Sequence, residues 1–257
     1  LIGTSFTAEV RAAFGDLDTT YSSDGIFTDT LEFTPRAIKR QSDGKMLIAG
    51  HIQYSGDEYK TLILRRYNAN GGLDVSFGWN SNALPYNAFG YGLSIYIQSD
   101  GKIVVAGMFK TSEQYWQPAV WRFNANGFYD TNFGINGRVL LNSSLNSAMA
   151  VAGYRPSRTG PLYLYVLTSD KKVYCLKPNG TLETAFGTGG AFTGSVIPVG
   201  SDALSVKSTG IYVSGRIDNF TAAISRHNLS GQPDTTWGSG GVVNTDEAID
   251  LVALAMQ

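Results

Sequence analysis

Apolar residues in this chain gather in short runs rich in Val, Ile, Tyr and Phe, and Gly, Asn, Asp or Ser breaks each run before it grows long. Residues 93–142 show the pattern at its clearest, with runs at 93–98, 102–109, 118–124 and 137–142. Ser-Asp-Gly-Lys (99–102) separates the first two and predicts a tight hairpin. Asn-Ala-Asn-Gly (124–127), an acidic residue and an aromatic-Gly pair fill the longer turn before the fourth. We label the four predicted strands a, b, c and d. The preceding copy places a, b and c at 36–41, 45–52 and 61–68, with a poorly patterned d near 80–85. A third copy, at 148–195, lacks the Asp-Gly hairpin and has Ser-Arg-Thr-Gly (157–160) there instead, and a fourth occupies 203–245.

The acidic markers Asp18, Asp74, Asp130, Glu183 and Asp234 follow one another at 56, 56, 53 and 51 residues, a period that signals a radial or solenoid array. The two ends of the chain supply a fifth copy. Residues 249–257 match strand a, with Gln257 aligned to Gln41 and Gln98, while 1–5, 8–12 and 25–29 match b, c and d. An open array would leave unpaired edges and apolar faces at both ends, whereas one strand from the tail and three from the head would close it. The expected fold is therefore all-β, a single five-bladed β-propeller over 1–257 with blades at 36–85, 93–142, 148–195, 203–245 and 249–257 plus 1–29.

The runs LDxxFGxxG, QSDGKxxxAG and RYNANG resemble the delta-60 type β-propeller repeats of bacterial secreted and surface proteins. The likeness is strong over 17–137 and weaker over 148–216. It implies a propeller and export to the medium or cell surface, and it carries over no catalytic residue.

Composition narrows the chemistry. With 20 basic and 21 acidic residues there is no basic field for a phosphate backbone, which argues against nucleic acid as a partner. No apolar run is long enough to span a bilayer. A single cysteine, Cys175, rules out an internal disulfide, and His51 and His227 alone make a poor metal set, so neither metal nor cofactor is expected. The chain begins at Leu1, as it would after loss of an export signal or after trimming.

Arg11, Arg66, Arg122 and Arg226 end c strands seven or eight residues before Asp18, Asp74, Asp130 and Asp234. Guanidinium geometry suits a carboxylate, so these pairs read as structural clasps. In the third unit Cys175 and Glu183 stand at the two places, so both partners change together. Tyr21, Phe77, Phe133, Phe186 and Trp237, three residues after each marker, read as packing between neighbouring units.

Candidate function lies where the copies differ. The b–c and d–a loops should open on one face, and there Phe33, Tyr54, Tyr59, Tyr86, Phe89, Tyr91, Tyr115 and Trp116 collect on the first, second and fifth units. Aromatics beside Asp57, Glu58, Glu113 and Gln114 suit sugar rings and protein interfaces alike. The expected function is a non-catalytic, exported binding or scaffold module that holds a protein partner or glycan there. The alternative is a glycosidase-like enzyme with paired acids at a central channel, for which the a strands offer only Asp202 and Asp250 near their starts.

Overall fold

The computed structural model describes residues 17–53, 60–78, 89–110, 115–141, 146–196, 203–218 and 221–244. They form fifteen strands and no helix, in four separate antiparallel sheets. The first sheet holds β1 (Thr34–Arg40), β2 (Met46–Ile52) and β3 (Thr61–Tyr67). The second holds β4 (Gly90–Ile97), β5 (Ile103–Lys110), β6 (Trp116–Phe123) and β7 (Arg138–Leu140). β8 (Ala148–Tyr154), β9 (Tyr163–Thr168), β10 (Lys172–Leu176) and β11 (Ala191–Thr193) make the third. The fourth comprises β12 (Leu204–Lys207), β13 (Gly210–Arg216), β14 (Ala222–His227) and β15 (Val242–Asn244).

Each sheet runs in chain order from one edge to the other. The first strands pack successively, β1 on β4, β4 on β8 and β8 on β12, as blades packed side by side about a common axis require. Both faces of the middle strands are therefore buried, and β5 is apolar and buried almost throughout because it meets the first sheet on one side and the third on the other. Leu47, Leu62 and Phe77 interleave with Val105, Trp121 and Phe123 between sheets one and two. Val104, Val120 and Phe133 do so with Val151, Leu164 and Val166 between sheets two and three.

Two glycines of the QSDGKxxxAG repeat, Gly50 and Gly107, have a steric cause. Each faces a β-bulge in the preceding strand, where register slips between Pro35 and Ala37 or between Gly92 and Ser94. The bulge pushes a carbonyl inward, so that a Cβ would lie 2.0 Å from the Thr34 oxygen at Gly50 and 1.9 Å from the Tyr91 oxygen at Gly107.

Successive sheets are joined by one repeated device at the c–d turns. The N–H after each marker aromatic reaches the next unit's turn: Ser22 donates to the Asn70 carbonyl at 2.8 Å, Gly78 to Asn126 at 2.7 Å, Gly134 to Asn179 at 2.8 Å and Gly187 to Ser230 at 3.0 Å. The aromatic ring lies on the glycine of that same turn. A Cβ at Gly71 would stand 3.1 Å from Tyr21, one at Gly127 2.9 Å from Phe77, and one at Gly180 3.1 Å from Phe133. From behind, Arg66 and Arg122 cover Phe77 and Phe133 at 4.3 and 4.4 Å from guanidinium carbon to ring centre.

Residues 17–25 thus precede the first sheet as each sheet's turn precedes the next. One expectation fails nearby: residues 25–29 form no strand. Asp29 instead accepts hydrogen bonds from Arg65 Nη1 and the Tyr67 hydroxyl, and Phe27 packs at 5.4 Å on Tyr67, so this stretch is held by side chains. The expected strands at 80–85, 1–12 and 249–257 lie outside the described residues.

Candidate functional site

The Arg–Asp pairs form clasps. Arg66 Nε donates to Asp74 at 2.9 Å, Arg122 Nε to Asp130 at 2.8 Å, and Arg226 Nε lies 3.1 Å from Asp234. In the first two, the hairpin lysine joins the same oxygen, Lys45 at 3.0 Å and Lys102 at 2.7 Å. The guanidinium's other arm reaches the next unit, from Arg66 to the Ala125 carbonyl at 2.8 Å and from Arg122 to that of Pro178. Burial alone would raise the Asp130 carboxyl, but the Lys102 hydrogen bond, the Arg122 charge and the Asn132 N–H outweigh it and hold it below the ordinary range. Asp74 is lowered likewise, against its burial, by Ser76, Lys45 and Arg66. Asp18 is lowered by the Thr20 hydroxyl and N–H, while Arg11 lies outside the described residues. Where Cys175 and Glu183 replace the pair, Phe186 packs on Tyr165 and Phe192 instead, and burial pushes the thiol up to about 12. These carboxylates are spent on architecture.

The site that departs from the repeat sits where sheets one and two meet. Thr34 pairs with His51, which places the start of β1 beside the end of β2. Thr61 bridges to Phe89, Gly90 donates to the Lys60 carbonyl at 2.7 Å, and Lys110 donates to the Phe89 carbonyl and pairs with Trp116. Those links gather the ends of β1, β2, β3, β4, β5 and β6 into one corner. Tyr91 is its centre. Its ring packs 5.6 Å from Trp116 and 5.7 Å from His51, the Lys60 ammonium lies 5.5 Å from its centre, and its hydroxyl donates to the Met108 sulfur at 2.7 Å. A thioether is a weak acceptor, so that hydroxyl retains capacity for a better one. The bulge at Gly92 follows Tyr91 directly, and Arg36, the extra residue of the matching bulge in β1, is exposed.

Of the residues expected on this face, the structure brings Phe89, Tyr91, Tyr115 and Trp116 together at one end of the second sheet. Tyr115 is exposed; Phe89, Tyr91 and Trp116 are half-buried. Phe33 is half-buried at the start of β1, next to the Thr34–His51 pair. Tyr54, Tyr59 and Tyr86 lie outside the described residues. His51 and Lys60 complete the corner, and nothing in a one-dimensional pattern ties them to a tyrosine 31 to 40 residues on. His51 is buried, its Nδ1 meets no hydrogen-bond partner among the described residues, and burial, with Lys60 and Arg36, lowers its pKa to about 4. It is a neutral imidazole at neutral pH. Among the described residues no group of three His, Cys, Asp or Glu is placed to hold a metal ion, and no helix is long and apolar enough to cross a membrane. Such a corner offers flat rings, two cations and hydrogen-bond donors, the means of holding a ligand.

The family model described as a β-propeller domain of unknown function (DUF5122) matches residues 41–77 and 98–133, the b-to-turn stretches of the first two units. No curated protein matches the chain in sequence. Among solved structures the chain is similar to a glucose dehydrogenase, at 12% identity and a TM-score of 0.46, over 77% of this chain and 62% of that one. It is similar to a β-xylosidase at 13% identity and a TM-score of 0.36, over 77% and 75% of the two chains. A third similar structure is a GH43 β-xylosidase/α-arabinofuranosidase from a compost microbial metagenome in complex with xylotriose, at 10% identity and a TM-score of 0.38, over 78% and 76%. The four successively packed sheets have the architecture of β-propeller blades, and the family match over the first two units agrees with that fold.

Proposed function

We propose that the chain is a non-catalytic, exported binding module of the bacterial surface that holds a glycan or partner protein at the Tyr91 corner. One observation carries this reading: Tyr91, Trp116, His51 and Lys60 converge where the repeat is broken, while Asp74, Asp130 and Asp234 are committed to the clasps. Aromatic faces flanked by polar groups suit recognition, and a neutral histidine whose Nδ1 meets no described partner lacks the oriented acid or base that hydrolysis needs. Export is supported by the likeness to secreted and surface repeats. Glycan-array and pull-down binding of the native chain, Tyr91→Ala and Trp116→Ala separates the ligand classes. Glycan binding lost in both variants supports a sugar site, a captured protein lost in both supports an interface, and binding unchanged in both refutes the corner. Turnover of an aryl glycoside by the native chain, abolished on replacing Asp202 or Asp250, would establish the glycosidase alternative.

The same reading includes five blades, the fifth closed by strand 249–257 from the tail against the strands expected at 1–5 and 8–12 of the head. Its support is the Tyr21–Gly71 contact, which makes residues 17–25 the turn of a unit lying before the first sheet. Trp237, half-buried and edge-on to Tyr212 at 6.1 Å, is the remaining marker aromatic, and Gly15 is the turn glycine it would cover. Ile2→Cys with Leu254→Cys, opposed when the fifth unit is aligned on the first, should form a disulfide in the folded chain. Two free thiols after mild oxidation of the folded protein would rule closure out.

A further inference from the structure

At the opposite end of the sheets, three of the four connections from first to second strand are tight, running through 41–45, 98–102 and 208–209. The third alone is long. It spans residues 155–162, Arg-Pro-Ser-Arg-Thr-Gly-Pro-Leu, between β8 and β9. The loop is braced from within, because Arg155 Nη1 donates to the Gly160 carbonyl at 3.0 Å and Gly160 N–H to that of Ser157 at 3.2 Å. Three tyrosines surround its base. Tyr96, near the end of β4, lies against Gly153, where a Cβ would meet the ring's Cζ at 2.2 Å. Tyr154 and Tyr163 oppose each other across β8 and β9, and both pack half-buried against the core that contains Val206, next to Lys207.

Charge here is uneven. Arg155, Arg158 and Lys207 are exposed, and among the described residues Arg158 and Lys207 meet no carboxylate. Against them stands Asp100, which caps its own hairpin by accepting from the Lys102 N–H at 3.1 Å. Nearby Lys102 and Lys177 face Asp130 and Glu183. Among the described residues, this end of sheets two to four therefore presents Arg155, Arg158 and Lys207 and three phenol rings against Asp100.

We infer that the 155–162 loop with Tyr96, Tyr154, Tyr163 and Lys207 is a second binding surface, fitted to a saccharide chain that carries carboxylates. The guanidinium fork matches a carboxylate in two parallel hydrogen bonds. Half-buried phenol rings pair an apolar body with a polar hydroxyl, which suits a pyranose better than an extended acidic backbone. Exposed ion pairs are worth at most about 1 kcal/mol each, so a single sugar acid would not be retained and the ligand must engage several contacts at once. A stiff saccharide also loses less freedom on binding than a flexible acidic peptide.

Tetragalacturonate, cellotetraose and hexaglutamate titrated calorimetrically into the full chain test this. Tetragalacturonate should bind at least tenfold more tightly than either of the others. Arg155→Met with Arg158→Met should weaken it at least tenfold while lowering the melting temperature by no more than about 2–4 °C, the loss of the one Arg155–Gly160 hydrogen bond, and Lys207→Met should weaken it less. Trp116→Ala, at the other end, should leave it intact, which separates this surface from the Tyr91 corner. Absence of tetragalacturonate binding, or its survival in the double arginine variant, overturns the proposal. So does loss of binding in Trp116→Ala, which would move the saccharide to the opposite end, or equal binding of hexaglutamate, which would make the surface a site for acidic polypeptide.

Discussion

Replacing Gly127 by Ala separates two reasons for a turn glycine, backbone strain and close approach. Gly127 has φ +88°, and Gly189, in the turn that leads into β11, has φ +65°. An alanine in either place costs about 1–2 kcal/mol in the left-handed region, and the stiffer unfolded chain returns about 0.4–1 kcal/mol. Gly189 has no atom within 4 Å of the added methyl, so Gly189→Ala should cost only that balance, about 1 kcal/mol. At Gly127 the methyl would stand 2.9 Å from two ring carbons of Phe77 and 2.8 Å from the Gly78 nitrogen. Either the ring or the turn must retreat. Retreat loosens the Gly78-to-Asn126 hydrogen bond, worth about 0.5–1.5 kcal/mol, and strains a packed ring by about 1–3 kcal/mol. Gly127→Ala should therefore lose about 2 kcal/mol more than Gly189→Ala, a melting temperature about 4–8 °C lower for a chain of this size. Parallel calorimetric scans of the two variants at pH 7 measure the difference. Melting points within about 1 °C of each other would show that the contact between units contributes nothing beyond strain, and the account of how the sheets are joined would fail.

Three further outcomes follow from the same geometry. Ser22 holds φ +53° where the later units have Gly134 at +55°, Gly187 at +56° and Gly238 at +59°, so Ser22→Gly should stabilise the chain by about 1 kcal/mol in urea unfolding, and a loss would contradict the alignment of residues 17–25 with those turns. Burial pushes the Cys175 thiol up to about 12, so it should stay unmodified by a thiol reagent in the folded chain at pH 8 and react on unfolding; rapid labelling of native protein would place it elsewhere. His51 and His227 are both lowered from 6.5 to about 4, chiefly by burial, so the unfolded chain gains two protons over that window that the folded chain refuses. Stability present above pH 6.5 should then fall as pH drops toward 4, by up to about 1.4 kcal/mol per pH unit for each histidine, whereas the loss from Asp74 and Asp130 begins only below about pH 4. His227→Phe, which keeps an aromatic ring on Phe192, should flatten that slope, and an unchanged urea midpoint difference between pH 7 and pH 4.5 would show that His227 is not held neutral.

Much of this was legible in one dimension because a repeat prints its local chemistry many times. Asp-Gly hairpins, turn glycines and the Arg-to-Asp spacing recur since every unit must turn the same corners. The segments misread or missed are those whose order comes from elsewhere. Residues 25–29 have the composition of a strand, yet Arg65 and Tyr67 claim Asp29 before any ladder forms. His51 looked like an isolated residue because its neighbours Tyr91 and Trp116 arrive from another sheet. The 155–162 loop read as a degraded hairpin, although it carries two exposed arginines beside tyrosines that arrive from two sheets.

The period of the acidic markers and the alternation of strands and turns were enough by themselves to require β-sheets repeated once per unit. Both are properties of neighbouring residues, and neighbours are what a sequence records. Which ring lies on which glycine and which side chains meet at Tyr91 were decided only by packing, because those partners are some 25 to 50 residues apart and meet only when the sheets are assembled.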